Sequence, residues 1–145
     1  MNPDHDRIAR ELERLNIAFW HDVDTNWGRN AHMLFTEDGT YTTSHRPRTG
    51  RDAIRGFYEG REAGGPRVAR HLISNFHVTV QDADHATCEW TMVLYAMDGE
   101  PPLPMDLPIL IGAVRDECVR QADGSWLYKS RKTTPLFKGD RPTSG

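Results

Sequence analysis

Residues 86–96 read Ala86-Thr87-Cys88-Glu89-Trp90-Thr91-Met92-Val93-Leu94-Tyr95-Ala96, and every even-numbered position in this stretch is apolar. The odd-numbered positions are mostly polar. Because successive side chains of a strand point to opposite faces, this alternation predicts a β-strand with one buried face. The period of two begins after Pro66 and predicts that the rest of the chain forms long antiparallel strands.

The chain before Pro66 follows a helical period instead. Its first apolar residues recur every three or four positions, at Ile8, Leu12, Leu15, Phe19 and Val23. This spacing puts them on one face of an amphipathic helix. We predict two further helices, a short one within residues 27–35 and one from Thr49 to Gly64-Gly65-Pro66. Helices followed by strands indicate an α+β fold, with three N-terminal helices on one face of a curved sheet.

Length and charge favour one domain and disfavour several classes of partner. In this chain of 145 residues we predict a single domain at 1–138 and a flexible C-terminal tail at 139–145. With 18 Lys and Arg against 21 Asp and Glu, the net charge of −3 offers no basic surface to a nucleic acid. The longest apolar run, at 107–114, is far below the ~20 residues of a membrane span. The acidic N-terminus is unlike a signal peptide, so we expect a cytoplasmic protein.

The sequence lacks the motifs that bind common cofactors. It has no Gly-rich phosphate loop, and the spacing of His21, Asp22 and Asp24 does not bring metal ligands together. Cys88 and Cys118 fall in predicted strands, which is typical of buried structural thiols. We therefore predict neither a metal nor an organic cofactor.

Asp24 and His71 are the leading candidates for a catalytic pair. Asp24 projects from the flank of the apolar stripe, where a carboxylate needs a partner, unless it is a solvated residue of the last turn. A histidine joined to a buried carboxylate acts as a general base, although His71 could also be structural. Because the even-numbered residues near His71 are apolar, it faces the core only if a β-bulge near Ser74-Asn75 shifts the register. We predict that bulge.

Arg131 and a proline-rich segment are further candidates. Arg131, in the last predicted strand, either binds a developing oxyanion with its forked donors or is a surface cation. Four prolines between Asp98 and Pro108 predict a connection between strands or a lid over a pocket. Epoxide hydrolysis would need an Asp–Arg–Asp arrangement around a nucleophilic water, and the spacing of Asp106 and Asp116 singles out neither.

Six short strings occur in a telling order along the chain. They are the helix that ends in Val23-Asp24, Leu34-Phe35-Thr36-Glu37-Asp38-Gly39, Thr49-Gly50-Arg51-Asp52-Ala53-Ile54, Arg70-His71-Leu72-Ile73-Ser74-Asn75, Arg115-Asp116-Glu117, and Gly124-Ser125-Trp126 with Arg131. Together they resemble the SnoaL-like branch of the nuclear transport factor 2-like superfamily, over about residues 8–137. The resemblance implies a cone in which a strongly curved mixed or antiparallel sheet wraps three helices around a deep apolar pocket. It also implies a homodimer or homotrimer.

The resemblance implies a function as well. Scytalone dehydratase, bile-acid 7α-dehydratase and hexachlorocyclohexane dehydrochlorinase belong to this superfamily and use an Asp–His pair for elimination without a cofactor. By resemblance this chain is a lyase or isomerase for a small apolar oxygenated substrate, with Asp24, His71 and Arg131 as catalytic residues. The alternative is a non-catalytic binding or assembly module, including a role like that of a dioxygenase small subunit.

The resemblance also implies which residues contact the substrate. Phe19 stands where the dehydratase and the dehydrochlorinase have Tyr or Lys, so a polar group is missing there. Tyr41, Tyr58, Tyr95 or His45 could supply it from another wall. The implied substrate-binding residues are Phe19, Trp20, Tyr41, Phe57, Tyr58, Trp90, Met92 and Tyr95.

Overall fold

The computed structural model describes residues 3–141 and has an α+β architecture. Its helical segments are α1 (Pro3–Asn26), a 3-10 helix (Ala31–Leu34) and α2 (Arg51–Ala63). Its strands are β1 (Phe35–Thr43), β2 (Arg46–Thr49), β3 (Arg67–Asp82), β4 (His85–Asp98), β5 (Leu110–Arg120) and β6 (Trp126–Lys138). Residues 142–145 of the predicted tail lie outside the described residues.

The six strands form one open, mixed sheet in the order β2-β1-β6-β5-β4-β3. Strands β1 and β6 are parallel, whereas the other neighbours are antiparallel. Helix α1 contacts both β3, at one edge, and β6, three strand spacings away. Three spacings amount to about 14 Å in a flat sheet, more than the width of one helix. Helix α1, with 24 residues, therefore extends across several strands, and the space between the helix and the sheet holds the core and the candidate site.

The second of the three predicted helices is a single 3-10 turn, so residues 3–141 contain two α-helices. Helix α1 ends at Asn26 because Trp27 and Gly28 adopt left-handed backbone conformations, with φ of 59° and 68°. Only eight residues then separate α1 from the buried Phe35 that begins β1. This connection is too short for another α-helix with its own caps. The end of α2 before Gly64 agrees with the prediction.

The predicted β-bulge is present and decides where His71 points. The pairing of β3 with β4 shifts between Ser74 and His77, and Asn75 has a φ of 55°. Odd-numbered residues such as Ala69 face the core before the bulge, whereas even-numbered residues such as Val78 face it afterwards. His71 therefore points inward, and its even-numbered neighbour Leu72 is 47% exposed.

The proline-rich segment is a connection between β4 and β5 that lies against the outer face of the sheet. Its residues 103–107 line a groove together with Val68, Arg70 and Tyr95, whose side chains point away from the face occupied by His71. Of the described tail residues, Gly139 donates to the backbone oxygen of Ile109, and the side chain of Arg141 donates to that of Leu107. Neither segment lines the inner pocket around His71.

Replacing Gly28 with alanine is expected to lower the free energy of unfolding by about 2–4 kcal/mol, from a left-handed φ and overpacking together. A Cβ at Gly28 would lie 2.6 Å from Cδ1 of Tyr58, a buried ring that cannot move aside freely. Urea denaturation followed by tryptophan fluorescence measures the change. Gly56→Ala is the matched control, because a Cβ there meets nothing within 4 Å and α2 gains up to about 1 kcal/mol of helix propensity. A Gly28→Ala variant as stable as wild type would contradict this packing.

Candidate active site

Asp24 and His71 are in direct contact across the inner face of the sheet. Asp24 lies in the last turn of α1 and His71 in the first half of β3. The Oδ1 atom of Asp24 lies 2.6 Å from His71 Nδ1, and Oδ2 of Asp24 accepts a hydrogen bond of 2.8 Å from the His71 backbone N–H. The two side chains are only 8% and 4% exposed. Asp24 is therefore not a solvated residue. Because Nδ1 of His71 contacts Asp24, Nε2 is the ring nitrogen that remains for another partner.

Trp20 holds the imidazole from its face. The two rings are stacked, with centroids 4.2 Å apart and planes inclined by 17°. Burial lowers the pKa of His71, Asp24 acts in the opposite direction, and the charges of Arg61 and Arg67 lower it further. The net pKa is below the ordinary value. The imidazole is therefore mainly neutral at pH 7, which is the form that accepts a proton.

His71 lines a narrow pocket with a cavity volume of about 40 Å³. Three of the eight predicted substrate-binding residues, Trp20, Tyr41 and Met92, also line it. The remaining lining residues are Thr43, Ser44, Arg61, Arg67, Leu94, Leu110, Thr133 and Pro135. Apolar walls with a few polar groups are the kind of lining that orients small molecules in binding sites.

The other five predicted contact residues do not line this pocket. Phe19 is fully buried and packs edge-on against neighbouring rings of the core. Trp90 is also buried, and its Nε1 donates a hydrogen bond of 3.0 Å to Asp116. Tyr95 is 41% exposed because odd-numbered residues of β4 point to the outer face. Helical and strand periodicity indicates burial but does not separate core from pocket.

Phe57 and Tyr58 lie behind the pocket wall. Tyr58 is buried and its hydroxyl donates to the Tyr41 hydroxyl at 3.1 Å, so it supports a lining residue. Phe57 is half-buried and is covered by the guanidinium of Arg48 at 3.9 Å from the ring centroid. His45, the other candidate for the missing polar group, is exposed in the turn after β1. Of the four candidates for that group, Tyr41 alone lines the pocket.

Arg131 lies in the core and does not line the pocket. Its Nε and Nη2 form a two-pronged ion pair with the buried Asp116, at 2.7 and 2.8 Å. Nη2 also donates to Asn16 at 2.6 Å and to the Tyr128 hydroxyl at 3.0 Å. Burial acts to lower the pKa of Arg131, but the charge of Asp116 outweighs it and the pKa is raised. This position does not support the predicted contact with a substrate oxyanion, and Arg131 is not a surface cation either.

Asn16 connects the buried ion pair to the catalytic candidates. Its Oδ1 accepts hydrogen bonds both from Arg131 and from the Trp20 indole, at 2.6 and 3.1 Å. Since Trp20 stacks on His71, a continuous chain of contacts runs from Asp116 to the imidazole. The two carboxylates considered for epoxide hydrolysis differ in exposure: Asp106 is exposed, whereas Asp116 is fully buried.

Sequence reasoning missed Arg61, Arg67 and Thr133. Arg61 follows Phe57 by four residues, so helical spacing indicates the same face of α2. Arg67 precedes His71 by four residues, so the bulge that turns His71 inward also turns Arg67 inward. Thr133 is buried, and its Oγ1 has no hydrogen-bond partner within residues 3–141. Thr133 follows Arg131 by two residues on β6, so strand periodicity places both side chains on the same face of the sheet. This spacing was the available sequence signal.

Other candidate sites give no cluster of ligands in the described part of the chain. Within residues 3–141, no group of three His, Cys, Asp or Glu side chains is placed to bind a metal ion. The Cys88 and Cys118 sulfurs lie 4.0 Å apart and both residues are buried, in accord with structural thiols. No helix among the described residues is long and apolar enough to span a membrane.

Comparison with known proteins identifies the family. The model of the SnoaL-like domain matches residues 8–132. The chain belongs to the SnoaL-like family. This assignment places it in the nuclear transport factor 2-like superfamily, as the six sequence strings indicated. A search of curated proteins gave no match.

Several solved structures share the fold of this chain at low sequence identity. A candidate scytalone dehydratase from Novosphingobium aromaticivorans is 23% identical, with a TM-score of 0.84 over 99% of this chain and 93% of that one. ActVI-ORFA from Streptomyces coelicolor is 20% identical, with a TM-score of 0.75 over 89% and 97%. A candidate aromatic ring hydroxylase from N. aromaticivorans is 24% identical, with a TM-score of 0.76 over 94% and 93%. These similarities show a shared fold. Because the names of these proteins describe different activities, the chemistry of this chain has to be inferred from its own site.

Proposed function

We propose that this SnoaL-like protein is a cofactor-independent lyase or isomerase that removes a proton from a small, largely apolar oxygenated molecule. The observation that carries the proposal is the pair of contacts between the Asp24 carboxylate and His71, one to the ring nitrogen Nδ1 at 2.6 Å and one to the backbone N–H at 2.8 Å. A purely structural histidine needs one partner for its ring. Here the ring is oriented from its edge and from its face while it borders a pocket.

In the proposed reaction, His71 Nε2 accepts a proton from a carbon next to a carbonyl group. The electron pair of that C–H bond forms a carbon–carbon double bond. In elimination, a hydroxyl on the next carbon departs with its bonding pair, takes the proton back from the His71 imidazolium and leaves as water. In isomerisation of a β,γ-unsaturated ketone, the imidazolium returns the proton to the γ-carbon while the carbon–carbon double bond moves into conjugation with the carbonyl group. Asp24 stabilises the imidazolium that forms in either case, because its carboxylate stays in contact with the charged ring.

Tyr41 is the proposed donor to the substrate oxygen. The Tyr41 hydroxyl accepts a hydrogen bond from the Tyr58 hydroxyl, so its own O–H can donate into the pocket that Tyr41 lines. Burial raises the pKa of Tyr41, so the hydroxyl stays protonated at neutral pH. Thr133 Oγ1, buried in the same wall, is a second group able to bind that oxygen. Hydrogen bonds in a water-poor site stabilise developing negative charge effectively.

The dehydratase described among the structural neighbours is consistent with elimination chemistry, although it shares only the fold with this chain. The alternative is a module that binds a small molecule without changing it, a role that this fold also supports. Proton exchange separates the two functions, because a binding module leaves the acidic C–H bonds of its ligand intact. The assay uses a panel of small cyclic ketones and β-hydroxyketones in D₂O, followed by NMR for loss of the α-proton and by ultraviolet absorbance for enone formation.

Wild-type protein is expected to exchange or eliminate at least one panel member, with an acid limb of kcat/KM below pH 6.5. The limb lies there because the pKa of His71 is lowered from 6.5, so the base form persists as the pH falls. Asp24→Asn removes the group that raises this pKa, so the limb should move to lower pH while the plateau falls about 10²–10⁴-fold. Asp22→Asn is a control on the same helix, since Asp22 bonds Asn26 and Asn30 outside the pocket. Binding of panel members without exchange would overturn the proposal in favour of a binding module.

A further inference from the structure

The pocket beside His71 is small for the reaction proposed there. Its cavity volume of about 40 Å³ leaves room for a few water molecules at most, since one water needs about 10–15 Å³. Pockets that enclose a whole small molecule usually measure about 300–1,000 Å³. A substrate therefore reaches His71 only if one wall of the pocket moves.

The turn between β1 and β2 is the wall that can move without breaking the sheet. Ser44 is the one lining residue, among those described, that lies outside a helix or strand. Strand β2, which follows the turn, is an edge strand that pairs with β1 alone, and three of its four residues are exposed. By contrast, the lining strands β4, β5 and β6 each have a hydrogen-bonded strand on both sides.

This turn is strained in the conformation that borders the pocket. Thr43 pairs with Arg46, which leaves Ser44 and His45 as a two-residue loop. Both residues have left-handed backbone conformations, with φ of 47° and 66°. Two-residue hairpin loops with positive φ at both positions usually carry Asn-Gly, because glycine adopts this backbone without steric cost. The strain brings the free energy of this turn closer to that of a displaced one.

The side chain of Arg48 fastens the turn to α2. Its Nη1 donates to Thr43 Oγ1 at 2.8 Å and to the backbone oxygen of Arg46 at 3.3 Å. Its guanidinium carbon lies 3.9 Å from the ring centroid of Phe57 in α2. These contacts join both strands of the hairpin to the neighbouring helix. Their loss frees the turn and β2, whereas β1 stays paired with β6 as far as Thr43.

We propose that the Ser44–His45 turn is a gate that determines which substrates reach His71, with Arg48 as its latch. This inference rests on the proposed function, which requires a substrate beside His71. When the turn and the Arg48 side chain move away from Phe57, the pocket widens beside Ser44 and admits the substrate. Closure of the turn then keeps bulk water from the imidazole during proton transfer.

Labelling of His71 by diethyl pyrocarbonate measures the opening of this gate without turnover. The reagent acylates neutral imidazole, and peptide mass spectrometry reads each histidine separately. The exposed His77 on the same strand is the internal reference in every sample. In wild type, labelling of His71 is expected to be at least about tenfold slower than that of His77, because only the open form reacts.

Two variants should change the labelling rate of His71 in opposite directions. Arg48→Ala removes the latch and should raise the rate, relative to His77, at least about fivefold, because local opening then breaks fewer contacts. His45→Gly relieves the strain of the closed turn and should lower the rate at least about threefold, since glycine is preferred at the second position of such a turn. His45 is exposed and does not line the pocket, so its replacement leaves the walls intact.

Two further variants are the controls. Arg46→Ala removes an exposed charge from the same strand as Arg48 and should leave the labelling ratio unchanged. Val80→Ala weakens the core near the far end of β3, so it lowers the stability of the whole domain without touching the turn. Faster labelling of His71 in Val80→Ala, to the extent seen in Arg48→Ala, would assign the opening to global unfolding and overturn the gate.

The remaining outcomes are equally decisive. Equal labelling of His71 in wild type, Arg48→Ala and His45→Gly would overturn the gate, and so would wild-type labelling of His71 as fast as that of His77. A protein that binds without turnover gives the same labelling pattern, so failure of the proposed function is distinguishable from failure of this inference. On the ketone panel, Arg48→Ala should raise kcat/KM for the bulkiest substrate relative to the smallest at least about threefold. An unchanged ratio would overturn the role of the turn in specificity.

Discussion

His71→Ala is expected to lower the rate of α-proton exchange by about 10²–10⁴-fold, the contribution usual for a positioned general base. Asp24 and Trp20 hold the imidazole at its edge and its face, and no second imidazole lines the pocket among the described residues. The loss should lie mainly in kcat, because the apolar wall of the pocket remains. NMR exchange and stopped-flow absorbance, on the panel member with the highest wild-type rate, provide the measurement.

Two comparisons separate a chemical role of His71 from a structural one. His77→Ala alters a histidine on the same strand beyond the bulge, where the side chain is exposed, and should leave the exchange rate unchanged. Free imidazole added to the His71→Ala variant should restore part of the rate, since it can occupy the space left by the ring. A folded His71→Ala variant that exchanges as fast as wild type would exclude His71 as the base.

The inward position of His71 could be predicted because two independent rules met at this residue. Strand alternation alone turned His71 outward, whereas the resemblance required it to face the pocket, and a bulge near Asn75 reconciles the two. The same reasoning, continued four residues towards the N-terminus, predicts an inward Arg67. That step was not taken, and the cationic wall of the pocket was therefore missed.

Residues that periodicity predicts to be buried either line the pocket or pack in the core, and no local sequence pattern distinguishes these two sets. Trp20 and Phe19 are neighbours on α1, yet Trp20 borders the pocket and Phe19 is enclosed by other rings. The difference depends on how far the sheet curves and which strands face α1, and these are long-range properties. The partner of Arg131 is of the same kind, because the pairing of β5 with β6 sets Asp116 opposite it.

Arg131→Met is expected to lower the free energy of unfolding by about 3–5 kcal/mol, the cost of leaving one member of a buried ion pair without its partner. Asp116 is fully buried, and after the substitution Trp90 is its remaining side-chain donor among the described residues. Asn16 and the Tyr128 hydroxyl lose a donor as well. Small domains are stable by only about 5–15 kcal/mol, so the variant should be far weaker in urea and is best measured at low temperature.

Arg131→Met combined with Asp116→Leu is the informative comparison, because it removes both charges and leaves a packed apolar pair. Replacing a whole buried ion pair by apolar residues is often neutral, so the double variant should be more stable than Arg131→Met alone. Arg55→Gln, which breaks exposed ion pairs on α2, should cost less than about 1 kcal/mol. A double variant that recovers stability but exchanges slowly would assign Arg131 to positioning, since Asn16 and Trp20 then no longer hold the imidazole in register with the substrate. Full recovery of both stability and exchange rate would instead mean that the buried ion pair contributes to packing of the core and not to catalysis.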